Sequence, residues 1–161
     1  MSEEPGTLRE ATPDDVPVLL QLAAQRRAQF AQYEPQFWRA APQAEEFQQQ
    51  LFSQLFTESG VLALVHERAG TVDGFLIAVL TPPPPIYAPD GPLCSVEDLW
   101  VAGGGDWEGA GRALLEAAMQ AGQASGAKHM VVVCAQQNAG QRALLSTSSY
   151  AVVAEQWVAR I

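Results

Sequence analysis

The sequence predicts an α/β fold: a mixed, largely antiparallel central sheet of about six to seven strands with helices on both faces. Three observations predict it. Two β-rich runs, Val61 to Glu67 and Thr71 to Leu80, flank Ala69-Gly70 and read as an antiparallel hairpin. A later strand, glycine turn, helix and strand read as a crossover between parallel neighbours. Finally, 48% of the 161 residues are apolar and 17% charged, the balance of a chain that buries a core. Residues 1–161 are accordingly expected to form one domain.

Each element has a local reason. Thr7 to Ala11 is a short strand candidate. Thr12-Pro13-Asp14-Asp15 then supplies a capping hydroxyl, a proline at the first helical position and acid in the first turn. Val16, Leu19, Leu20 and Ala23 recur at helical spacing behind it. Gln43 to Phe56 predicts a second helix, with Ala44, Phe47, Leu51 and Leu55 on one stripe. The hairpin follows, then Thr81 to Pro92, whose four consecutive prolines exclude a sheet interior. Leu93 to Val101 is the fourth strand. After the glycine turn, Ala110, Ala113, Leu114, Ala117, Ala118 and Ala121 share one helical face, ended by Ser125-Gly126. Met130 to Ala135 is apolar enough for a strand covered on both faces. Asn138 to Leu145 predicts a short helix, and Tyr150 to Ile161 a final strand or bent strand pair.

Composition excludes several classes. The formal net charge is -9, which opposes nucleic acid as a partner and suits a soluble acidic surface or a cationic substrate. No apolar run approaches the ~20 residues of a membrane span, and the acidic start, MSEEPGTLREAT, is unlike a signal peptide. Cys94 and Cys134 lie in apolar runs and read as reduced core residues of a cytoplasmic protein. His66 and His129 have no metal-ligand partner at suitable spacing, so no metal site is expected.

The chemistry concentrates in VEDLWVAGGGDWEGAGRALLEAAMQ, Val96 to Gln120. A glycine turn opening a helix presents backbone N–H groups and the positive end of the helix dipole to one spot, an arrangement that binds phosphate. Acidic residues stand just before it. This order, with Asp106-Trp107-Glu108-Gly109-Ala110-Gly111 as the phosphate loop, GRALLEAA behind it and NAGQRALLSTSSY (Asn138 to Tyr150) further on, resembles the GNAT superfamily of acyl-CoA-dependent N-acetyltransferases from about Thr7 to Ile161. VEDLWV is similar to the fourth strand of its spermidine/spermine-type branch. Three positions depart from the family pattern: Asp106 where Gln or Arg is usual, Leu145 where a tyrosine acid often stands, and Ser149 for the glycine before the final aromatic.

The resemblance implies an enzyme that moves an acetyl group from acetyl-CoA to a small-molecule amine, or else a non-catalytic CoA-binding module on the same fold. It implies that the CoA diphosphate rests on amides of Trp107, Glu108, Gly109, Ala110, Gly111 and Arg112, with Arg112 and Arg142 offsetting the acids. It implies that backbone of Leu99, Trp100 and Val101 meets the oxyanion, and that Asn138 bonds the pantetheine arm; a helix N-cap is the plainer role for Asn138. Glu97 is the expected general base, since strand parity places it with Leu99 and Val101 on one face. Asp98 points the opposite way in a regular strand, and a bulge would bring it to a cationic acceptor. Tyr33, Phe37, Trp38 and Arg39 border the implied acceptor pocket, with core packing the alternative for the aromatics. Homodimers through the C-terminal strands are common in the family, and Val152, Val153, Trp157 and Val158 suit that.

Overall fold

The structure, a computed structural model, describes residues 5–161. Its sheet has five strands in the order β1 (Thr7–Glu10), β2 (Val61–Arg68), β3 (Thr71–Thr81), β4 (Leu93–Val101) and β5 (His129–Val132). Neighbours are antiparallel from β1 to β4, and β5 lies parallel to β4. The β2–β3 turn places both Ala69 (φ 51°) and Gly70 (φ 76°) in the left-handed region, as a two-residue hairpin requires.

Helices cover both faces. On one side lie α1 (Val16–Tyr33) and α2 (Ala44–Gln54). Phe52 of α2 meets Phe75 of β3 edge-on at 6.0 Å, and Leu19, Leu22 and Ala23 are the buried stripe of α1. On the other side lies α3 (Arg112–Ala124), burying Leu114, Leu115, Ala118 and Gly122. Gly122 permits close approach: a Cβ there would lie 3.0 Å from Cys94 Cβ. The short helix α4 (Ala139–Ser146) closes the end beyond β5 and buries Leu144. Before α1, Pro13–Asp15 form a single 3-10 turn.

Three expectations are corrected. The sheet has five strands rather than six or seven, because residues 151–161 form no strand. They are exposed throughout, with Val152 at 83% and Trp157 at 86%, so they pack on no sheet face and β-propensity alone does not make them a strand. β5 ends at Val132, and Val133 is 78% exposed rather than covered. Finally, α2 is rotated from its expected stripe. Phe47 and Leu51 face solvent while Gln48 and Phe52, one position later, turn inward. The i, i+4 pair beside the sheet is thus 48/52, because Phe52 fills the space beside Phe75.

Candidate active site

The site lies where β4 leaves its pairing with β3. Ile77 pairs with Asp98 and Ala78 with Val96, so Glu97 is an extra residue, a β-bulge. The insertion reverses side-chain parity along the strand. Trp100 lies on the helical side of α1, donating from Nε1 to Gln25 Oε1 at 3.3 Å. Asp98 shares that side and meets Arg26 Nε at 3.3 Å and Gln48 Nε2 at 3.4 Å. Burial raises the Asp98 carboxyl above its ordinary range, and the nearby Arg26 and Arg27 only partly oppose this. Asp98 is therefore an internal anchor between β4 and the two helices. Glu97 is exposed.

A small cavity at the bulge is lined by Arg26, Phe30, Val96, Glu97, Asp98, Leu99, Val133 and Gln141. It runs from α1 past the bulge to Val133 and to Gln141 of α4. A wider, open depression along α2 is lined by Glu46, Gln49, Gln50, Ser53, Gln54 and Thr57 and shares none of these residues. The aromatic segment lies beside the small cavity. Phe30 contacts Tyr33 and Trp38 at centroid distances of 5.7 and 4.8 Å, and Phe37 contacts Trp38 at 5.6 Å. Arg26 stacks over Phe30 at 4.3 Å. Phe37 and Arg39 are exposed, and Tyr33 and Trp38 are half-buried.

The glycine turn is built for tight curvature. Gly103 and Gly104 have φ of 63° and 64°, which only glycine adopts without strain. The Gly103 amide is held by Gln25 Oε1 at 2.9 Å. Trp107–Gly111 then form one π-type turn, with the Gly111 amide reaching Asp106 O at 3.1 Å, before α3 continues as a regular helix. Trp107 is the packing pin of this turn. Its ring is buried, meets Trp100 edge-on at 5.9 Å, and lies where a Cβ on Gly140 would come within 2.4 Å.

The loop amides have distinct fates. Trp107 N–H donates to Gly105 O, and Arg112 N–H to Gly109 O and Trp107 O, so these are satisfied by backbone. Gly109 and Ala110 N–H donate to the Asp106 carboxylate at 2.9 and 3.3 Å. Arg68 donates to the same carboxylate. Burial opposes ionisation of Asp106, but Arg68 and the two amides outweigh it and hold the carboxyl below its ordinary range. The cradle thus accepts an anion, and here that anion is the chain's own. Glu108 pairs with Arg112 at 2.6 Å, and Arg112 also reaches Ser148 Oγ at 3.2 Å.

Other expected residues are spread around this centre. Leu99, Trp100 and Val101 are buried in the ladder with β3. Asn138 caps α4, its Oδ1 accepting from Gln141 N–H at 3.2 Å. Arg142 is exposed on α4, and Leu145 packs against the core. Burial pushes the Cys134 thiol up to about 11 despite Arg142. Arg26, Phe30, Gln48, Arg68 and Gln141 escape a reading of the sequence. Arg26 and Phe30 carry a visible signal, an i, i+4 cation–aromatic pair on one helix. Arg68 carries none, since its partner Asp106 lies across the fold. Among the described residues, no group of three or more His, Cys, Asp or Glu side chains is arranged to hold a metal ion. No helix among them is long and apolar enough to cross a membrane.

Residues 24–147 match the model of the acetyltransferase (GNAT) family, and the chain belongs to that family. No curated protein matches the sequence. Among solved structures, a mutant form of the BH1408 protein from Bacillus halodurans superposes with a TM-score of 0.83 at 16% identity, over 96% of this chain and 99% of that one. AAC(6')-Iy, solved with the bisubstrate analog CoA-S-monomethyl-acetylneamine, gives 0.70 at 13% identity over 97% of each chain. The ribosomal-protein-alanine N-acetyltransferase from Brucella melitensis biovar Abortus 2308 gives 0.67 at 17% identity, over 96% of this chain and 99% of that one. At these identities the likeness is one of fold.

Proposed function

We propose that the protein is an N-acetyltransferase that uses acetyl-CoA to acetylate a primary amine of a small molecule by direct attack. The observation that carries this reading is the bulge at Glu97, which places an exposed carboxylate at the mouth of the cavity between β4 and β5. In this scheme Glu97 takes a proton from the acceptor ammonium, directly or through water. The neutral amine then attacks the thioester carbonyl, the C–S bond breaks, and CoA leaves as thiolate. Leu145 offers no proton, and the leaving thiolate needs none at the moment of departure, since free thiols titrate near ~8.5. A backbone N–H of Leu99 to Val101 is assigned to the developing oxyanion.

The diphosphate is assigned to the glycine loop. Gly109 and Ala110 supply amides that already bind a carboxylate, and Arg112 and Arg142 supply flanking cations. Net charge and the exposed Glu97 carboxylate favour a cationic acceptor, a polyamine or a related amine, as in the spermidine/spermine-type branch; Asp98, engaged with Arg26, is not assigned to it. Tyr33, Phe37 and Trp38 supply its apolar wall, and the AAC(6')-Iy complex, with its acetylneamine moiety, is a precedent of the same fold. A homodimer is part of this reading: the apolar residues after Tyr150 stand clear of their own sheet, and β5 leaves one sheet edge unpaired. We place the protein in the cytoplasm, given two free cysteines and no membrane-spanning helix among the described residues.

A second reading has one observation in its favour: Asp106 fills the amide cradle, as a CoA sensor without turnover would tolerate. Free-thiol release from acetyl-CoA with polyamines, amino acids and aminoglycosides separates the two. The enzyme reading expects turnover on at least one amine and a loss of about 10²-fold or more in kcat for Glu97→Gln. CoA binding with no turnover on any amine would overturn it in favour of the sensor.

A further inference from the structure

We propose that Arg26 is a positioning residue for the reaction: by holding Asp98 against α1, it decides that Glu97, of two adjacent carboxylates, is the one looped out toward the acceptor. This rests on the reading above, in which Glu97 takes the proton.

A bulge leaves its extra residue outside the ladder, and the ladder alone does not say which residue that is. Val96 and Leu99 stand opposite Ala78 and Leu76. Between them lie two acids, Glu97 and Asp98, for one partner, Ile77. Either acid can take the place opposite Ile77, and the other is then extruded. The two arrangements differ by a local slip of one residue, which exchanges the directions of the two carboxylates.

The α1 side makes the choice. Opposite Ile77, the Asp98 side chain is 12% exposed and meets Arg26 Nε at 3.3 Å. Gln48 Nε2 donates to its other oxygen at 3.4 Å. The Gln48 amide is oriented for this, because its oxygen accepts from Arg27. Arg26 is oriented too: its guanidinium lies over the Phe30 ring, 4.3 Å from the centroid, and Trp38 backs that ring at 4.8 Å. This seat fits the shorter acid. Aspartate already brings Oδ1 to 3.3 Å, so a glutamate there would have to fold an extra methylene into a packed space. Burial raises the Asp98 carboxyl, and Arg26 is foremost among the groups that oppose this, ahead of the Leu99 amide and Arg27. Without Arg26 the buried acid loses its main counter-charge. The preference for Asp98 in the ladder then falls, and Glu97 is presented only part of the time.

The test is a double-mutant cycle read by free-thiol release from acetyl-CoA, using the full chain and the fastest amine of the polyamine, amino-acid and aminoglycoside panel. Arg26→Met is expected to lower kcat by about tenfold or more, the scale of a misplaced catalytic group, and to leave KM for acetyl-CoA unchanged. In the Glu97→Gln background the same change is expected to lose nothing further, since no base is left to place. Arg26→Lys keeps the charge and loses the planar fork; an intermediate rate is expected, and this variant decides the matter if the methionine variant does not fold. Full kcat in these variants, or losses that multiply in the double variant, would overturn the proposal and leave Glu97 as the base. Glu97→Gln at full rate would instead overturn the Glu97 assignment itself. Where native protein acetylates none of the amines, crystal structures of native protein and Arg26→Met decide. Glu97 opposite Ile77 in the variant supports the proposal, and Glu97 still extruded there overturns it.

Discussion

Asp15 shows how much one side chain can organise. Its carboxylate takes both arms of Arg9, at 2.8 and 2.9 Å, and the Thr12 amide at 2.7 Å. It thereby ties β1 to the first turn of α1. Arg9 is the main cause of its depressed pKa, helped by the Thr12 amide and opposed by burial. A carboxylate with a folded pKa below its unfolded value stabilises the protein above that unfolded value. The benefit is lost as pH falls through the folded one. Asp15→Asn is expected to cost about 1–2 kcal/mol at neutral pH, near the low end for a charged contact because Arg9 is partly exposed. Urea denaturation of both proteins at pH 7 and near pH ~3 checks it, and the gap between them should shrink on the acidic side. The sequence shows acid in this first turn plainly, since Thr12-Pro13-Asp14-Asp15 is a local pattern. It does not show Arg9 as the partner, because that contact depends on where β1 lies in the sheet.

Among the elements, α2 departs most from its sequence pattern. Its apolar residues support two stripes, 47/51/55 and 52/55, and periodicity alone does not choose between them. Packing beside Phe75 chooses the second. Phe52→Ala is expected to lower stability by about 3–5 kcal/mol, whereas Phe47→Ala at an exposed position should stay within about 0.5 kcal/mol. Thermal or urea melts of the pair measure the rotation of the helix directly. The glycine turn was more legible. Backbone curvature depends on Gly103 and Gly104, and glycine announces itself. What fills the turn was hidden, because Arg68 and Asp106 are 38 positions apart. The bulge entered the sequence reading only as a condition for turning Asp98 toward an acceptor; the structure has the bulge and turns Asp98 to Arg26 instead, and VEDLWV alternates too weakly to mark Glu97 as the inserted residue.

Over the whole molecule, the hairpin and the crossover together determine the sheet, and both are readable in the order of strand-like and helical segments. The far end was not readable, because a β-prone segment becomes a strand only when it docks on an edge, and the segment's own residues do not settle whether it docks. Residues 151–161 are exposed, with Val153 at 91% and Trp157 at 86%, and β5 is an edge of the sheet. A chain that exposes these side chains is expected to sediment as a dimer at micromolar concentration. Removing residues 151–161 should give a monomer that retains its helix and strand content by circular dichroism. A full-length chain that stays monomeric at high concentration would remove the dimer from the functional reading.

The extra residue in β4 acts as a phase switch. Take Glu97 out, and plain pleating turns over everything before it: Cys94 leaves its seat against Gly122, and Leu93 and Ser95 swap sides with it. One inserted carboxylate therefore determines which way half a strand looks, and a change of length there is a different order of event from any change of side chain.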